Sequence, residues 1–280
     1  MKFDVTRKAR ELPSRFESQI RLVDCLNLNL GTPSLPAKSV DHVITDPPYE
    51  THTHENRMAT DNGGKPIDTP VTFAPMDDHA RMIVAREMVR ICKGWIIVFC
   101  EDAAIGRWQT LLIEAGAKRR TTMIWRKVKA PPKFMGNGPA QAFEAMVLCW
   151  AGEGQSVWNG GGKLGIYEYG PDEGPRRHET QKPLALMEQL ILDFTMPGEL
   201  IADPYMGGGS TCIAAKRLGR RYVGWEVDEA VFTKASLAIW EAKEQTRWEQ
   251  FMHHERVRPT AFGDIKTKKP GQENLFDSET

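Results

Sequence analysis

The chain has 280 residues, a formal net charge of zero, 41% hydrophobic residues and 26% charged residues. These values are ordinary for a soluble globular protein of one medium-sized domain, and the overall charge gives no indication of nucleic acid binding. The N-terminus lacks the apolar core of a signal peptide, and no apolar run is long enough to span a bilayer. We therefore expect a cytoplasmic protein without membrane contact. Its five scattered cysteines predict buried free thiols.

Short apolar runs alternate with segments of helical periodicity along most of the chain. The apolar runs predict strands at Ile20–Cys25, His42–Thr45, Trp95–Cys100, Thr121–Trp125, Ala145–Trp150, Leu200–Ala202 and Tyr222–Val227. The periodic segments predict helices at Asp77–Cys92, Ala103–Ala115, Pro183–Thr195, Ser210–Leu218 and Glu229–Gln250. Alternation of this kind is typical of an α/β fold with a largely parallel sheet covered on both faces.

Three segments stand outside this alternation. Glu50–Pro75 is polar and has the length of a lid or binding loop, Gly152–Glu179 predicts an irregular insertion, and Thr260–Thr280 has the composition of a disordered tail. We accordingly divide the chain into the first half of a domain (1–151), a short insertion (152–179), the second half of the same domain (180–256) and a flexible tail (257–280).

Cationic side chains concentrate in one short stretch of the sequence. Between Lys118 and Lys133 there are seven Lys and Arg residues and no acid. Such a stretch is either a solvated face or a local phosphate-binding strip on an otherwise neutral protein.

The tetrapeptide Asp46-Pro47-Pro48-Tyr49 follows a predicted strand, and the carboxyl ends of strands are where open α/β sheets bind ligands. Two successive prolines fix the backbone and remove two N–H donors, which leaves carbonyl groups as acceptors. This combination suits a planar ring that bears an amino group. The Asp46 carboxylate and a carbonyl at Pro47 would accept its two N–H bonds, while Tyr49 would stack on its face. The alternative is a Pro-Pro turn with a capping aspartate.

A second candidate site spans Leu200–Thr211, where a short strand runs into Asp203, three glycines and the start of a helix. Glycines let backbone N–H groups approach an anionic ligand at a helix N-terminus. About twenty residues later a strand ends near Glu226, whose carboxylate can bind ribose hydroxyls. A dinucleotide fingerprint would need glycine at Cys212. A nucleoside with a carboxylate in place of the pyrophosphate, such as S-adenosylmethionine, therefore fits the pattern better.

A third group of polar residues, from His178 to Pro183, precedes a predicted helix. A polar cap followed by proline is typical of a helix start. The functional interpretation is a set of polar groups that face the methionine end of the cofactor. His52 and His54 are close in sequence, but no cysteine or carboxylate cluster completes a metal site, so we predict no metal.

Together these motifs resemble the β-class amino-methyltransferases of DNA, in which the catalytic motif precedes the cofactor glycine loop. The resemblance also includes RLVDCLNLN, whose Asp24 and Cys25 are similar to the motif for the cofactor adenine, and MIWRKVKAPPKF, QAFEAMVLCW, HETQKP and GWEVDEA. The sequence departs from the family in having Tyr205 where Phe is commoner and Gly207-Gly208-Gly209 where Gly-Ser-Gly is commoner. Its insertion is short, which argues against an elaborate sequence specificity.

The resemblance implies a Rossmann-like methyltransferase fold, with a twisted, mostly parallel sheet that contains one antiparallel strand and is flanked by helices. It implies S-adenosylmethionine-dependent methylation of adenine N6 in double-stranded DNA, by base flipping and direct methyl transfer, in a restriction–modification system or as an orphan enzyme.

The candidate site residues fall into three groups. The resemblance assigns the first two, and the third comes from the cationic stretch Lys118–Lys133 and from Arg176-Arg177, which we predict line the DNA face. The catalytic group is Asp46, Pro47, Pro48 and Tyr49. The cofactor-binding group is Asp24, Cys25, His178, Thr180, Lys182, Asp203, Tyr205, Gly207, Gly209, Ser210, Thr211 and Glu226. The DNA-binding group is Lys129, Lys133, Arg176 and Arg177, with Glu50–Pro75 closing over the flipped base.

Other functions remain open at this point. A cytosine-N4 DNA methyltransferase would have the same fold, although that branch more often carries Ser at the position of Asp46. A catalytically silent protein that binds DNA and cofactor would have a broken catalytic motif, and the motif here is intact. Protein-glutamine and RNA methyltransferases usually place the glycine loop first and prefer Asn at the first catalytic position.

The tail contains Gln272-Glu273-Asn274-Leu275-Phe276, which resembles the Gln-x-x-Leu-Phe peptide that docks on the replication sliding clamp. Two adjacent apolar anchors on a flexible segment suit a pocket, although so short a pattern also arises by chance. The predicted partners are double-stranded DNA and, as further candidates, the sliding clamp through Gln272–Phe276 and a second copy of the chain.

Overall fold

The computed structural model of the protein describes residues 18–25, 35–48, 76–128, 130, 138–172 and 181–245. These residues form one sheet of β1 (Gln19–Leu22), β2 (His42–Thr45), β3 (Trp95–Cys100), β4 (Lys118–Lys127), β5 (Phe143–Trp150), β6 (Ile166–Tyr169), β7 (Leu200–Asp203) and β8 (Arg221–Glu226). The helices are α1 (Asp78–Ile91), α2 (Ile105–Glu114), α3 (Leu184–Phe194), α4 (Ser210–Arg217) and α5 (Glu229–Glu241), with a 3₁₀ turn at Asp102–Ala104.

The strand order across the sheet is β1-β8-β7-β2-β3-β5-β4-β6. All neighbouring strands are parallel except at β5, which is antiparallel to both β3 and β4. The predicted fold, mostly parallel with one antiparallel strand, is confirmed. The carboxyl ends of every strand except β5 consequently share one edge of the sheet, and β5 begins at that edge.

The centre of the sheet is the pair β2–β7, and the chain leaves this pair in opposite directions. From β2 it passes through α1 to β3 on one side, and from β7 it passes through α4 to β8 on the other. A reversal of this kind is a topological switch point, and it opens a crevice at the carboxyl ends of the two strands.

Both faces of the central strands are buried, which explains their continuous apolar runs. In β3, Ile96 and Val98 face a core cluster that includes α1 and α2, while Ile97 and Phe99 face a second cluster that includes α3 and α4. All five cysteines are buried and free, as predicted. Among the described residues, no helix is long and apolar enough to cross a membrane.

Three of the predicted elements have bounds that differ from the structure by three residues or more. β1 ends at Leu22, before Cys25. β4 is longer than predicted, because the polar residues that flank its apolar centre continue its pairing with β5 and β6. The last helix ends at Glu241 instead of continuing to Gln250, and Ala242 already has an extended backbone.

The Gly-rich insertion is more regular than predicted, because it contains β6. This strand pairs in parallel with β4, so that Tyr167 lies opposite Trp125. The segment is fixed to α3 by the buried carboxylate of Asp193, which accepts hydrogen bonds from Lys163 Nζ (2.7 Å), Gln189 Nε2 (2.8 Å) and the Tyr167 hydroxyl (3.1 Å). Burial, followed by the nearby Asp193 charge, raises the pKa of Tyr167 well above its ordinary value.

We predict that Asp193→Ala lowers the free energy of unfolding by about 3–5 kcal/mol, because it leaves the Lys163 ammonium buried without its counterion. The side chains of Asp193 and Lys163 are 0% and 11% exposed. Glu168→Gln is the matched control: it breaks the pair with Arg126, in which the side chains are 52% and 55% exposed, and it should change the free energy of unfolding much less than Asp193→Ala does. Urea unfolding measures the free energy of unfolding of both variants. Equal losses in the two variants would contradict the role of Asp193 as the buried counterion of Lys163.

Candidate active site

The two acidic motif residues meet at the switch point. Asp46 directly follows β2, and Asp203 ends the adjacent strand β7. Thr45 Oγ1 donates a hydrogen bond to Asp203 Oδ1 across the two strands at 2.7 Å. Residues separated by more than 150 positions in the sequence are thus joined by one buried contact.

Asp203 is buried at the end of β7, and the glycine loop follows it in the sequence. Besides the Thr45 hydroxyl, its carboxylate accepts hydrogen bonds from the backbone N–H of Tyr205 at 3.1 Å and from the Thr211 side chain. Burial raises the pKa of Asp203 to about 6, although these hydrogen bonds favour the ionised form and oppose the increase.

The glycine loop has the backbone conformations that its sequence predicts. Gly207 and Gly209 have φ values of +48° and +79°, in the left-handed region that favours glycine. A Cβ on Gly209 would also lie 3.1 Å from Ile239 Cδ1, so α5 packs closely against the loop. Ser210 begins α4, whose N-terminus is at the carboxyl edge of the sheet, where free N–H groups suit an anionic ligand.

Glu226 ends β8, the next strand beyond β7. Its Oε1 accepts hydrogen bonds from the backbone N–H groups of Val227 and Asp228, both at 2.8 Å. The carboxylate is therefore held in a fixed orientation at the same edge as the glycine loop. A carboxylate held in this orientation can accept hydrogen bonds from two neighbouring hydroxyl groups, such as those of a ribose.

The segment after β1 completes this side of the crevice. The thiol of Cys25 and the hydroxyl of Tyr205 form a hydrogen bond, which brings the predicted adenine motif to the loop that follows β7. Burial raises the pKa of Cys25 to about 12, so the thiol is neutral at physiological pH. Asp24, Cys25, Asp203, Tyr205 and Glu226 thus lie along one edge of the sheet, as their predicted shared role requires.

On the other side of the crevice, charges alternate along the sheet edge. The Lys182 ammonium forms an ion pair with Asp46 Oδ2 and lies 3.1 Å from Glu144 Oε2, and Lys127 Nζ lies 2.6 Å from Glu144 Oε1. We call Asp46, Lys182, Glu144 and Lys127 the charge line. Burial disfavours the charged form of Lys182, but the two carboxylates outweigh it and raise the pKa of Lys182 above its ordinary value.

Lys182 connects the two sides of the crevice. We predicted that it faces the methionine end of the cofactor. The structure directs its side chain to Asp46, while its backbone carbonyl accepts a hydrogen bond from the Ser210 hydroxyl at 3.0 Å. Glu144 was not among the predicted site residues. The signal that could have identified it is a single acid in the otherwise apolar strand β5.

The basic stretch does not form one surface at this site. Lys118, Arg119 and Arg120 begin β4 at the amino edge of the sheet, whereas Arg126 and Lys127 end the strand at the carboxyl edge. Ten residues of strand separate these ends by roughly 30 Å. Arg126 pairs with Glu168 and Lys127 with Glu144.

Several predicted site residues lie outside the described residues and stay predictions: Tyr49, Lys129, Lys133, Arg176, Arg177, His178 and Thr180. The same holds for the segment Glu50–Pro75 and for Gln272–Phe276. Within the described ranges, no group of three or more His, Cys, Asp or Glu side chains could hold a metal ion.

Comparison with known proteins gives consistent results. A family model described as DNA methylase matches residues 40–236. The putative methylase YubD of Escherichia coli K12 is 48% identical over 198 residues, which cover 70% of this chain and 80% of YubD. The type II methyltransferase M.HinfI of Haemophilus influenzae is 26% identical over 239 residues, which cover 75% of this chain but only 66% of M.HinfI.

Two solved structures have the same fold. The M1.HpyAVI–SAM complex is 23% identical, with a TM-score of 0.60, and the match covers 79% of this chain and 98% of that one. The cytosine-N4-specific PvuII DNA methyltransferase is 15% identical, with a TM-score of 0.61, and the match covers 86% of this chain and 92% of that one.

The raised pKa of Asp203 predicts a specific pH dependence of stability in the cofactor-free protein. An unfolded aspartate releases its proton near pH 3.8, whereas the native carboxyl holds it to about pH 6. The native state binds more protons between these values, so the free energy of unfolding falls as the pH rises from about 4 to about 6. The loss is roughly 3 kcal/mol. Asp203→Asn should remove it, and urea titrations across this range that stay parallel for the two proteins would contradict the prediction.

Proposed function

The chain belongs to the DNA methylase family that modifies N6 or N4 amino groups of bases, and on this premise we propose that it transfers a methyl group from S-adenosylmethionine to N6 of adenine in double-stranded DNA. The observation that carries the proposal is the meeting, at one switch point, of the Asp46-Pro47-Pro48 motif with the Asp203 glycine loop. The Asp46-Pro47-Pro48 motif can orient an amino nitrogen, and the glycine loop after Asp203 suits the cofactor.

The described residues fit S-adenosylmethionine. The oriented Glu226 carboxylate is an acceptor for the ribose hydroxyls, and Asp24 and Cys25 lie beside Tyr205 where the adenine would bind. The left-handed Gly207 and Gly209 and the start of α4 present backbone N–H groups to the carboxylate end. When bound, the cofactor supplies an electrophilic methyl group on a positively charged sulfur.

The chain's own contribution is to position the amino group of the base. Asp46 and the Pro47 carbonyl accept its two N–H bonds, which directs the nitrogen lone pair toward the cofactor side of the crevice. Asp46 also accepts the proton that the nitrogen releases after transfer. Flipping the base out of the duplex costs a few kcal/mol, and phosphate contacts and stacking in the pocket offset that cost.

Asp46 favours adenine, since the cytosine-N4 branch more often has Ser at this position. Cytosine N4 is the second candidate, because the cytosine-specific PvuII enzyme has the same fold. Mass spectrometry of nucleosides from DNA treated with the purified protein separates the two: N6-methyldeoxyadenosine supports the proposal, and N4-methyldeoxycytidine would replace it with the second candidate. Sequencing with modification detection gives the target sequence.

We predict that Asp46→Ala lowers the rate of methyl transfer by at least about 100-fold, because the amino group loses a positioning acceptor, while the cofactor still binds. Single-turnover transfer of labelled methyl to duplex DNA measures the rate, and calorimetry measures binding. Asp41→Ala is the matched control, since Asp41 bonds Leu200 N and Lys93 at the opposite end of β2. Near-normal turnover of Asp46→Ala would overturn the role assigned to this residue.

We predict that Glu226→Ala weakens the binding of S-adenosylmethionine by about 1–3 kcal/mol, because two ribose hydroxyls lose a charged acceptor. Titration calorimetry with the cofactor alone tests this without any DNA. Glu229→Ala, a change in the first turn of α5, serves as control. Equal affinity of the Glu226 variant and the unaltered protein would exclude Glu226 from the cofactor site.

A further inference from the structure

Resting on the proposed function, we propose that Lys182 reads the target base: its ammonium donates a hydrogen bond to the ring nitrogen next to the amino-bearing carbon, while Asp46 accepts one from the amino group. The Lys182 ammonium and the Asp46 carboxylate are in direct contact at the carboxyl end of β2. A donor and an acceptor therefore stand side by side where the base is expected to enter.

This pair complements a feature that adenine and cytosine share. Each presents an amino group beside an unprotonated ring nitrogen: N6 and N1 in adenine, and N4 and N3 in cytosine. A carboxylate only accepts and an ammonium only donates, so Asp46 matches the amino group and Lys182 matches the ring nitrogen. At the corresponding positions, C6 and N1 of guanine and C4 and N3 of thymine, these bases present a carbonyl beside a ring N–H, which would place acceptor against carboxylate and donor against ammonium.

The surroundings of Lys182 suit this role. Its side chain is only 7% exposed and its ammonium lies 5.2 Å from the centre of the Phe99 ring, so water competes little for its hydrogen bonds. Its backbone is fixed by the Ser210 hydroxyl at the start of the cofactor loop. The backbone of Lys182 is therefore anchored at the cofactor side of the crevice, while its side chain reaches Asp46.

Glu144 allows Lys182 to turn toward the base without losing its charge. The ammonium contacts two carboxylates, Asp46 and Glu144, and Glu144 is itself held by Lys127. When Asp46 engages the amino group, Glu144 remains as the counterion. Glu144 is accordingly a positioning residue that acts through Lys182.

The test replaces one atom of the base. Duplexes carry the sequence that the purified enzyme methylates, with the target adenine replaced by 1-deazaadenine, in which a C–H takes the place of the ring nitrogen. If the accepted base is cytosine, 3-deazacytosine is used. Single-turnover rates are measured at saturating cofactor for the unaltered enzyme, Lys182→Met and Lys182→Arg, and calorimetry confirms that each variant binds the cofactor.

We expect the unaltered enzyme to transfer methyl about 10- to 100-fold more slowly to the deaza base, which is the usual effect of losing one hydrogen bond to a charged group. Lys182→Met should be slow on both bases and lose the preference, whereas Lys182→Arg, which keeps a donor, should retain part of it. Lys38→Met is the control, because Lys38 donates hydrogen bonds to the carbonyls of Val89, Cys92 and Ala151 at the opposite edge of the sheet. This variant should keep the full preference for the ordinary base over the deaza base.

Two results would overturn the inference while leaving the proposed function intact: equal rates of the unaltered enzyme on both bases, or an undiminished preference in Lys182→Met. If the unaltered enzyme transfers no methyl to ordinary DNA, the proposed function itself fails and the inference fails with it. The first measurement on unmodified duplex therefore separates the two cases.

Discussion

The parallel pairing of β2 with β7 is the constraint on which the rest of the molecule depends. Asp46 follows β2 and Asp203 ends β7, so each strand contributes one acidic residue to the crevice. The two residues are far apart in the sequence, and only the pairing of the strands brings them together. The hydrogen bond from Thr45 to Asp203 joins the two strands at their carboxyl ends, in a buried position where a missing partner would be costly. From this pair the chain turns outward on both sides, and the helices that follow cover both faces of the sheet.

At this edge of the sheet, the pKa of a buried charged group depends on whether an opposite charge lies beside it. The Asp203 carboxyl is buried, and although it accepts hydrogen bonds from Thr45, Tyr205 and Thr211, its pKa rises to about 6. Lys182 has two carboxylates against it, and its pKa rises instead of falling. The charge line thus keeps an ammonium ionised beside Asp46, where an isolated buried lysine would tend to lose its proton.

The sequence predicted the sheet well because its central strands are buried on both faces and therefore continuously apolar. β2 and β3 have the predicted bounds, Asp46 directly follows β2, and Asp203 and Glu226 end β7 and β8. β6 was missed because glycine surrounds it and only one of its residues, Tyr167, is buried. The contact of Lys182 with Asp46 and Glu144 was missed for another reason: it joins three distant segments, and no periodicity reports such a contact. The basic stretch appeared continuous in sequence, but a ten-residue strand carries Lys118 and Lys127 to opposite edges of the sheet.

The reversed direction of β5 has a consequence for how such proteins diversify. Because β5 starts at the carboxyl edge, the connection from β4 begins and ends at that edge, and the connections that follow β2 and β6 leave from it as well. Doubling the length of a flexible loop costs only about 0.6 kcal/mol of closure entropy. Segments at these three positions can therefore be exchanged or lengthened while the sheet and the charge line stay as they are. On the proposed function, grafting segments at this edge would give a new target sequence while the residues that perform the transfer stay unchanged.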